Sequence, residues 1–517
     1  MAGRAEPVSP RAGYGAAALV AALILVTLGA VVLRADAPGA LGRADWAAIR
    51  FTLLQAALSA ALSVLLAIPV ARALARRDFV GRAALITLLG APFILPVIVA
   101  VLGLLSVFGR AGWVSGLLGV LGLEPIHVYG LHGVVLAHVF FNLPLATRLI
   151  LQGWQDIPGE QYRLAAQLGA GPGVTQRLLE WPMLRRVVPG ALAIIFAICL
   201  TSFAVALTLG GGPRATTIEL AIYQAFRFDF DLNKAALLAC VQIVLTGAAA
   251  LVALRVEPEG GLARAGLGRP AQRWDSGGLL LQDAAVITLA ALFLILPLLA
   301  IVMDGLAGLW PLPPGLFGAA VTSVLVALLS TGVLLALALP ISVAAAQPGC
   351  SWLEGAGLLG LAVSPLVIGT GLFILLNPVV NPAALAVPVT ACVNAVMALP
   401  FALRILVPRA RQLRAAHARL ALSLNMQGWP MWRYVLLPRM RPQIGFSAGL
   451  TAALSMGDLG VITLFADPQM ATLPLFVFRL MGAYQMQSAA GVALILLALS
   501  VALFWFFDQG GRRHAGA

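Results

Sequence analysis

The sequence predicts an all-α integral membrane protein of about twelve transmembrane helices in two tandem six-helix halves. Three observations carry this. Of 517 residues, 61% are hydrophobic and only 10% charged, too little polar material to coat several soluble globules. A dozen stretches approach the roughly 20 apolar residues that a helix needs to cross hydrocarbon, and short segments rich in Arg, Gly and Pro separate them. Finally, Pro144 to Pro182 aligns without gaps to Pro400 to Pro438 at a constant offset of 256 residues.

The first half, 1–254, holds apolar cores at 17–33, 51–71, 84–107, 131–151, 190–209 and 235–254. The first core follows Arg4 and Arg11 and lacks a small-residue cleavage pattern before Arg34, so it is expected to be a retained anchor. Residues 255–283 form the longest polar stretch rich in Gly and Pro and read as a cytoplasmic linker. The second half, 284–517, repeats the pattern at 284–303, 320–346, 356–376, 388–406, 444–464 and 490–507. Pro69 pairs with Pro340, Pro96 with Pro365, and Thr208 to Thr217 with Thr463 to Thr472. An even number of spans per half makes the repeats parallel, related by an axis along the membrane normal. Matched loops then face one side, as two equivalent contacts with a dimeric soluble partner require.

The net charge of +13 raises the question of nucleic acid. With the N-terminus inside, inner loops and tails hold about 25 of the 33 Lys and Arg, a positive-inside excess that places both termini in the cytoplasm. No basic run is interleaved with stacking aromatics, so the charge sets topology and no nucleic-acid partner is expected. Cys199, Cys240, Cys350 and Cys392 lie in or beside spans without ligand-like spacing. Disulfides, metal sites and cofactors are accordingly not expected.

The loop after the fourth span is longer than a connector needs to be. It carries Glu160, then Arg163, Leu164, Ala165 and Ala166, then Gly169, with Trp181 and Pro182 further on. Small residues allow close approach of another backbone, Gly169 supports a sharp turn, and Leu164 and Leu168 share one helix face. The second copy has Arg419, Leu420, Ala421, Asn425, Leu437 and Pro438 at the same spacing.

These loops resemble the EAA loop of binding-protein-dependent importer permeases, although both copies have Arg in place of the motif's Glu and the second has Asn for Gly. The resemblance implies a MetI-like permease fold in each half, with each loop helix docking on one of two copies of an ATP-binding-cassette ATPase subunit. The only lysine, Lys234, follows Asn233 rather than a Gly-rich phosphate-cradling turn, so the ATPase is expected on another chain. The runs from Ala137 to Gln152, Glu180 to Arg186, Ser202 to Phe226 and Ser455 to Phe465 are similar to the permeases of thiamine and thiamine-phosphate importers. That implies a periplasmic thiamine-binding protein as second partner. Ferric-iron importer permeases share the architecture and a looser form of these motifs.

Within the spans Asp458 stands out. An acid near mid-bilayer costs roughly 2.5 to 3.5 kcal/mol on insertion scales, so it should face the bundle interior or a wet cavity. It reads either as an attraction for a cationic substrate or as a hydrogen bond to a neighbouring helix. His138 and Asn142 share a face of the fourth span, as path-lining groups or as interhelical glue. Phe141 offers cation–π contact or plain packing. The Gly210, Gly211, Gly212, Pro213 turn, with Thr216, Thr217 and Glu219, reads as a gate, a docking edge or a flexible turn.

An ion-coupled secondary transporter also uses parallel repeats, but it needs intramembrane acids or bases, and this chain offers little beyond Asp458 and His138. A membrane enzyme would need a nucleophile with its base or paired carboxylates in the spans, and neither is evident. A transport subunit is the expectation.

Overall fold

A computed structural model describes residues 8–35, 41–90, 92, 94–212, 215–256, 277–465 and 470–512; among these the chain is helical, with no β-strand. Ten helical runs among the described residues are long and apolar enough to span a bilayer, so this is a multi-pass membrane protein. In such an environment every backbone polar group must find a partner inside the protein, which selects helices.

The first half contains α1 (Arg11–Arg34), α2 (Arg43–Arg76), α3 (Arg82–Leu88), α4 (Val97–Phe108), α5 (Trp113–Val120), α6 (Leu131–Gln155), α7 (Gly159–Gln167), α8 (Pro172–Thr175), α9 (Trp181–Leu200), α10 (Ala204–Leu209), α11 (Ile218–Arg227) and α12 (Leu232–Val256). The second contains α13 (Gly277–Ala307), α14 (Leu316–Ala345), α15 (Gly355–Ala362), α16 (Pro365–Leu376), α17 (Ala386–Ser423), α18 (Trp429–Met431), α19 (Leu437–Met456), α20 (Gly460–Phe465), α21 (Leu473–Gly482) and α22 (Met486–Arg512). Buried Ala56, Ser59, Ala60, Ser63 and Ala67 run down one side of α2, and these small side chains let it lie close along α6.

Helix occupies all twelve apolar stretches, but four are not single helices. The third stretch breaks between α3 and α4, and its counterpart, the ninth, breaks at Val363–Ser364 between α15 and α16. The fifth breaks at residues 201–203 between α9 and α10, and the eleventh at 457–459 between α19 and α20. Pro96 and Pro365 account for the first pair, since proline fits a helix start but not its interior. The Ser364 hydroxyl also caps α16 by accepting from Leu366 N–H at 3.1 Å. Of the expected linker, residues 257–276 lie outside the described residues; 255–256 and 277–283 belong to α12 and α13.

The first helix of each half packs on the opposite half. From the first half, α1 lies against α14 and α16: Tyr14 stacks on Trp352 at 5.8 Å, Gln347 Nε2 donates to the Val8 carbonyl at 2.7 Å, and Gly371 leaves room for the Thr27 backbone. From the second, α13 lies against α2 and α4, with Phe293 between Phe108 and Phe140 and Arg77 paired to Asp283 at 2.8 Å. Each half thus holds the other.

A side chain at Gly103 would place its Cβ 2.5 Å from the Pro297 carbonyl oxygen, whereas Gly29 has nothing within 4 Å. Gly103→Leu is therefore expected to lower the unfolding midpoint in detergent, with an overpacking cost of about 1–3 kcal/mol, while Gly29→Leu leaves it unchanged. Thermal unfolding of the purified variants followed by tryptophan fluorescence measures both.

Candidate functional site

Two repeated features carry the chemistry: a pair of surface loops after α6 and α17, and a pair of helix breaks inside the bundle. In the first loop Pro158 ends the helical run and α7 starts afresh at Gly159. At the position equivalent to Pro158 the second half has Arg414, and α17 continues unbroken to Ser423. Both loop helices end in the same left-handed residue, Gly169 at φ +66° and Asn425 at φ +54°. Asn is the side chain that best tolerates that conformation after glycine, so the change of residue keeps the turn. Each loop then re-enters through a π-helical turn, Gln176–Glu180 or Trp432–Leu436, and Pro182 and Pro438 follow in the first turn of α9 and α19.

The loop helices present unpartnered apolar side chains. Leu164 and Leu168 are 56% and 76% exposed, and Leu420 and Leu424 are 57% and 61% exposed. Such a paired stripe suits a protein groove. Around it Glu160, Arg163, Ala166 and Arg419 are exposed, Ala165 is half-buried and Ala421 buried. Trp181 is exposed under the Arg185 guanidinium at 5.5 Å, and Leu437 and Pro438 are half-buried.

One attachment of the first loop has no signal in its local sequence. Glu180, buried at the end of the π-turn, receives Arg72 Nε at 2.9 Å and Arg76 Nη2 at 3.4 Å, both from α2, while Arg72 Nη2 donates to Gln176 Oε1 at 3.0 Å. The Tyr162 phenol of α7 is pushed above its ordinary range by burial and by the Glu180 charge beside it. In the second loop Leu436 replaces Glu180 and is buried without charge.

The breaks leave carbonyls without helical partners, and buried amides meet them. Gln55 Nε2 of α2 donates to the Cys199 carbonyl at 2.9 Å, and Gln242 Nε2 of α12 donates to Leu200 at 2.9 Å. The α11 start is held by Thr52 Oγ1, which accepts from Ile218 N–H at 2.9 Å; Ser323 Oγ does the same for Leu473 N–H of α21 at 2.7 Å. The four breaks converge where the halves meet. A Cβ at Gly457 would lie 3.0 Å from Pro96 Cα, and one at Gly460 would lie 3.9 Å from Phe203 Cδ1.

His138 and Asn142 are buried on α6. The His138 Nδ1 lies 3.2 Å from Ser59 Oγ and Nε2 lies 2.6 Å from Ser202 Oγ, while Asn142 Nδ2 donates to the His138 carbonyl at 2.9 Å. Phe141 is half-buried, edge-on to Phe140 at 5.5 Å. Asp458 sits in the break after α19 rather than inside a helix, because the chain turns at Gly457. Gly211 is exposed with φ +71° and packs against Tyr129, while Pro213 lies outside the described residues. Glu219 lies within the protein rather than on an outer edge: it is buried, accepts from Gln242 Nε2 at 3.2 Å, and has the Ser364 hydroxyl of the other half beside it. The polar series Thr52, Gln55, Ser59 and Ser63 along α2, at helical spacing, is the sequence signal that marks this region.

No protein-family model matches the chain. It is 40% identical to a thiamine transport system permease protein of Salmonella typhimurium over 539 residues, covering 100% of this chain and 99% of that one. The relative of the same description in Escherichia coli is 41% identical over 90% of this chain and 89% of its own length. That of Brucella abortus is 39% identical over 97% and 95%.

Removing one partner of a buried ion pair leaves the other charges unmatched, at a cost of about 3–5 kcal/mol. Glu180→Ala is expected to approach the lower end of that range, because Arg72 is partly exposed, and Glu180→Gln to cost less. Chemical denaturation in detergent, compared with Leu436→Ala, reads the difference.

Proposed function

This chain belongs to the family of thiamine transport system permease proteins, and on that premise we propose that it is the membrane subunit of an ATP-binding-cassette importer for thiamine and its phosphates. A periplasmic binding protein delivers the substrate, and two copies of a separate ATPase subunit drive transport. The chain itself is no enzyme, since ATP hydrolysis belongs to the partner. It lies in the bacterial inner membrane with both termini cytoplasmic, its two permease halves, expected at 1–254 and 284–517, joined by the segment between α12 and α13.

The observation that carries this reading is likeness along the whole chain to relatives of one description. The paired loops support the mechanical part. Two apolar stripes, Leu164 with Leu168 and Leu420 with Leu424, end in matched left-handed turns at Gly169 and Asn425. Each docks on one ATPase copy. Closure of the ATPase dimer then pulls on the loops. The first passes the pull to α2 through Arg72, Arg76 and Glu180, and the second passes it directly along the unbroken α17. The substrate path runs between the halves at the converging breaks, where His138, Phe141, Asn142, Glu219 and Asp458 are the candidate lining groups, with Gly211 in the exposed turn after α10 as a candidate gate.

In proteoliposomes holding the chain, its ATPase subunit and the binding protein, thiamine uptake is expected to require ATP and to be competed by unlabelled thiamine but not by ferric iron. Uptake driven by an ion gradient without the ATPase, or competition by iron, would overturn the reading. A β-branched residue in the left-handed region costs about 1–2 kcal/mol. Gly169→Val should therefore reduce ATPase-subunit co-purification and transport several-fold, while Asn425→Gly leaves both near the starting level.

A further inference from the structure

The two halves close their inner helix breaks differently, and one leaves a carboxyl oxygen without a donor. In the first half both nitrogens of His138 are engaged, one by Ser59 and one by Ser202. The repeat puts Ser330 at the position of Ser59, Asn394 at that of His138, Ser455 at that of Cys199 and Asp458 at that of Ser202. Here Asn394 Nδ2 donates to Ser455 Oγ at 3.0 Å, and Ser455 and Ser330 share a hydrogen bond at 2.8 Å. Asp458 Oδ1 accepts from Gly460 N–H at 3.1 Å, and the Asn394 amide and the Val461 N–H lie beside the carboxyl group, while Oδ2 is buried and no donor is aligned on it.

A buried acceptor without a donor is unfavourable and calls for an explanation. Its place in the fold supplies one. Asp458 lies at the meeting of the two halves, with Pro96 of the first against Gly457 and the Phe203 ring against Gly460. Phe203 in turn packs edge-on to Tyr223 at 5.3 Å, so an aromatic pair from one half lies beside the Gly460 turn that the Asp458 carboxyl group of the other half caps. A carboxylate and an aromatic face are the two groups that stabilise an organic cation away from water.

We propose that Asp458 and the facing Phe203–Tyr223 pair form a transit site for the positively charged ring of an aromatic organic cation passing between the halves. The site rests on the reading of the chain as a thiamine permease, thiamine being such a cation. Asp458 Oδ2 is the atom that meets the cation; Phe203 covers the other side. Because Ser202 occupies the equivalent place in the first half, the repeat supplies no matching carboxylate at this break, and the substrate crosses the two breaks unequally.

The competing role for Asp458 is to cap the break through Gly460. Asparagine keeps that cap, since its carbonyl oxygen still accepts from Gly460 N–H, and removes only the charge. In proteoliposomes with ATPase and binding protein, Asp458→Asn is expected to lower thiamine uptake about tenfold or more, with the unfolding midpoint of the purified chain unchanged. Asp458→Glu should recover a large part of the uptake, and Phe203→Leu should lower it a few-fold. Uptake at the wild-type rate in Asp458→Asn would overturn the site, as would a loss in both Asp458 variants accompanied by a lowered unfolding midpoint, or a Glu variant no better than Asn. A wild-type chain that carries no thiamine would sink the substrate reading itself, and this site with it.

Discussion

The structure depends on how a membrane protein satisfies its backbone where helices stop inside the bundle. Hydrocarbon offers no hydrogen bonds, so each interrupted helix needs partners from its neighbours. Gln55 and Gln242 supply them for the carbonyls of Cys199 and Leu200, and Thr52 and Ser323 supply them for the amides of Ile218 and Leu473. The second half has Val326 where the first has Gln55, and there Asp458 accepts from the Gly460 N–H instead. Each break is thereby a fixed feature. Fixed breaks at the interface of two halves bring irregular backbone from both together, which continuous helices would not.

The exchange of first helices follows from the same economy. An interface made only of the broken segments would be short and partly polar. Laying α1 on α14 and α16, and α13 on α2 and α4, adds long apolar contacts, tightened where Gly371 and Gly103 admit a neighbouring backbone. The two surface loops have unequal attachments, a buried ion cluster at Glu180 in one and a continuous helix through Arg414 in the other. Equivalent turns at Gly169 and Asn425 end the two loop helices alike, while the loops join the bundle by different routes.

Much of this was legible in the sequence, for identifiable reasons. Hydropathy located all twelve apolar stretches because membrane solvation acts on composition over about 20 residues. The same averaging hid the four breaks, since residues such as Phe203, Leu459 and Val363 stay apolar across them. The repeat aligned the loops, and it placed Asn425 opposite Gly169, where the residue changes and the backbone keeps the same left-handed turn. Glu180 with Arg72 and Arg76 was not legible, because the partners are about a hundred residues apart and no local pattern links them. The helix exchange left no trace for the same reason: lipid-facing and protein-facing leucines look alike.

Asp458 was conspicuous as a charge, but its unmet oxygen and its aromatic neighbours exist only in three dimensions. The central claim is that the breaks of the two halves face each other across the substrate path. Cysteines at positions 203 and 460, in a chain whose four native cysteines are replaced, test it most directly. The account predicts rapid oxidative cross-linking of this pair and loss of transport on cross-linking, restored by reduction. Failure to cross-link, or full transport through the cross-linked protein, would contradict it.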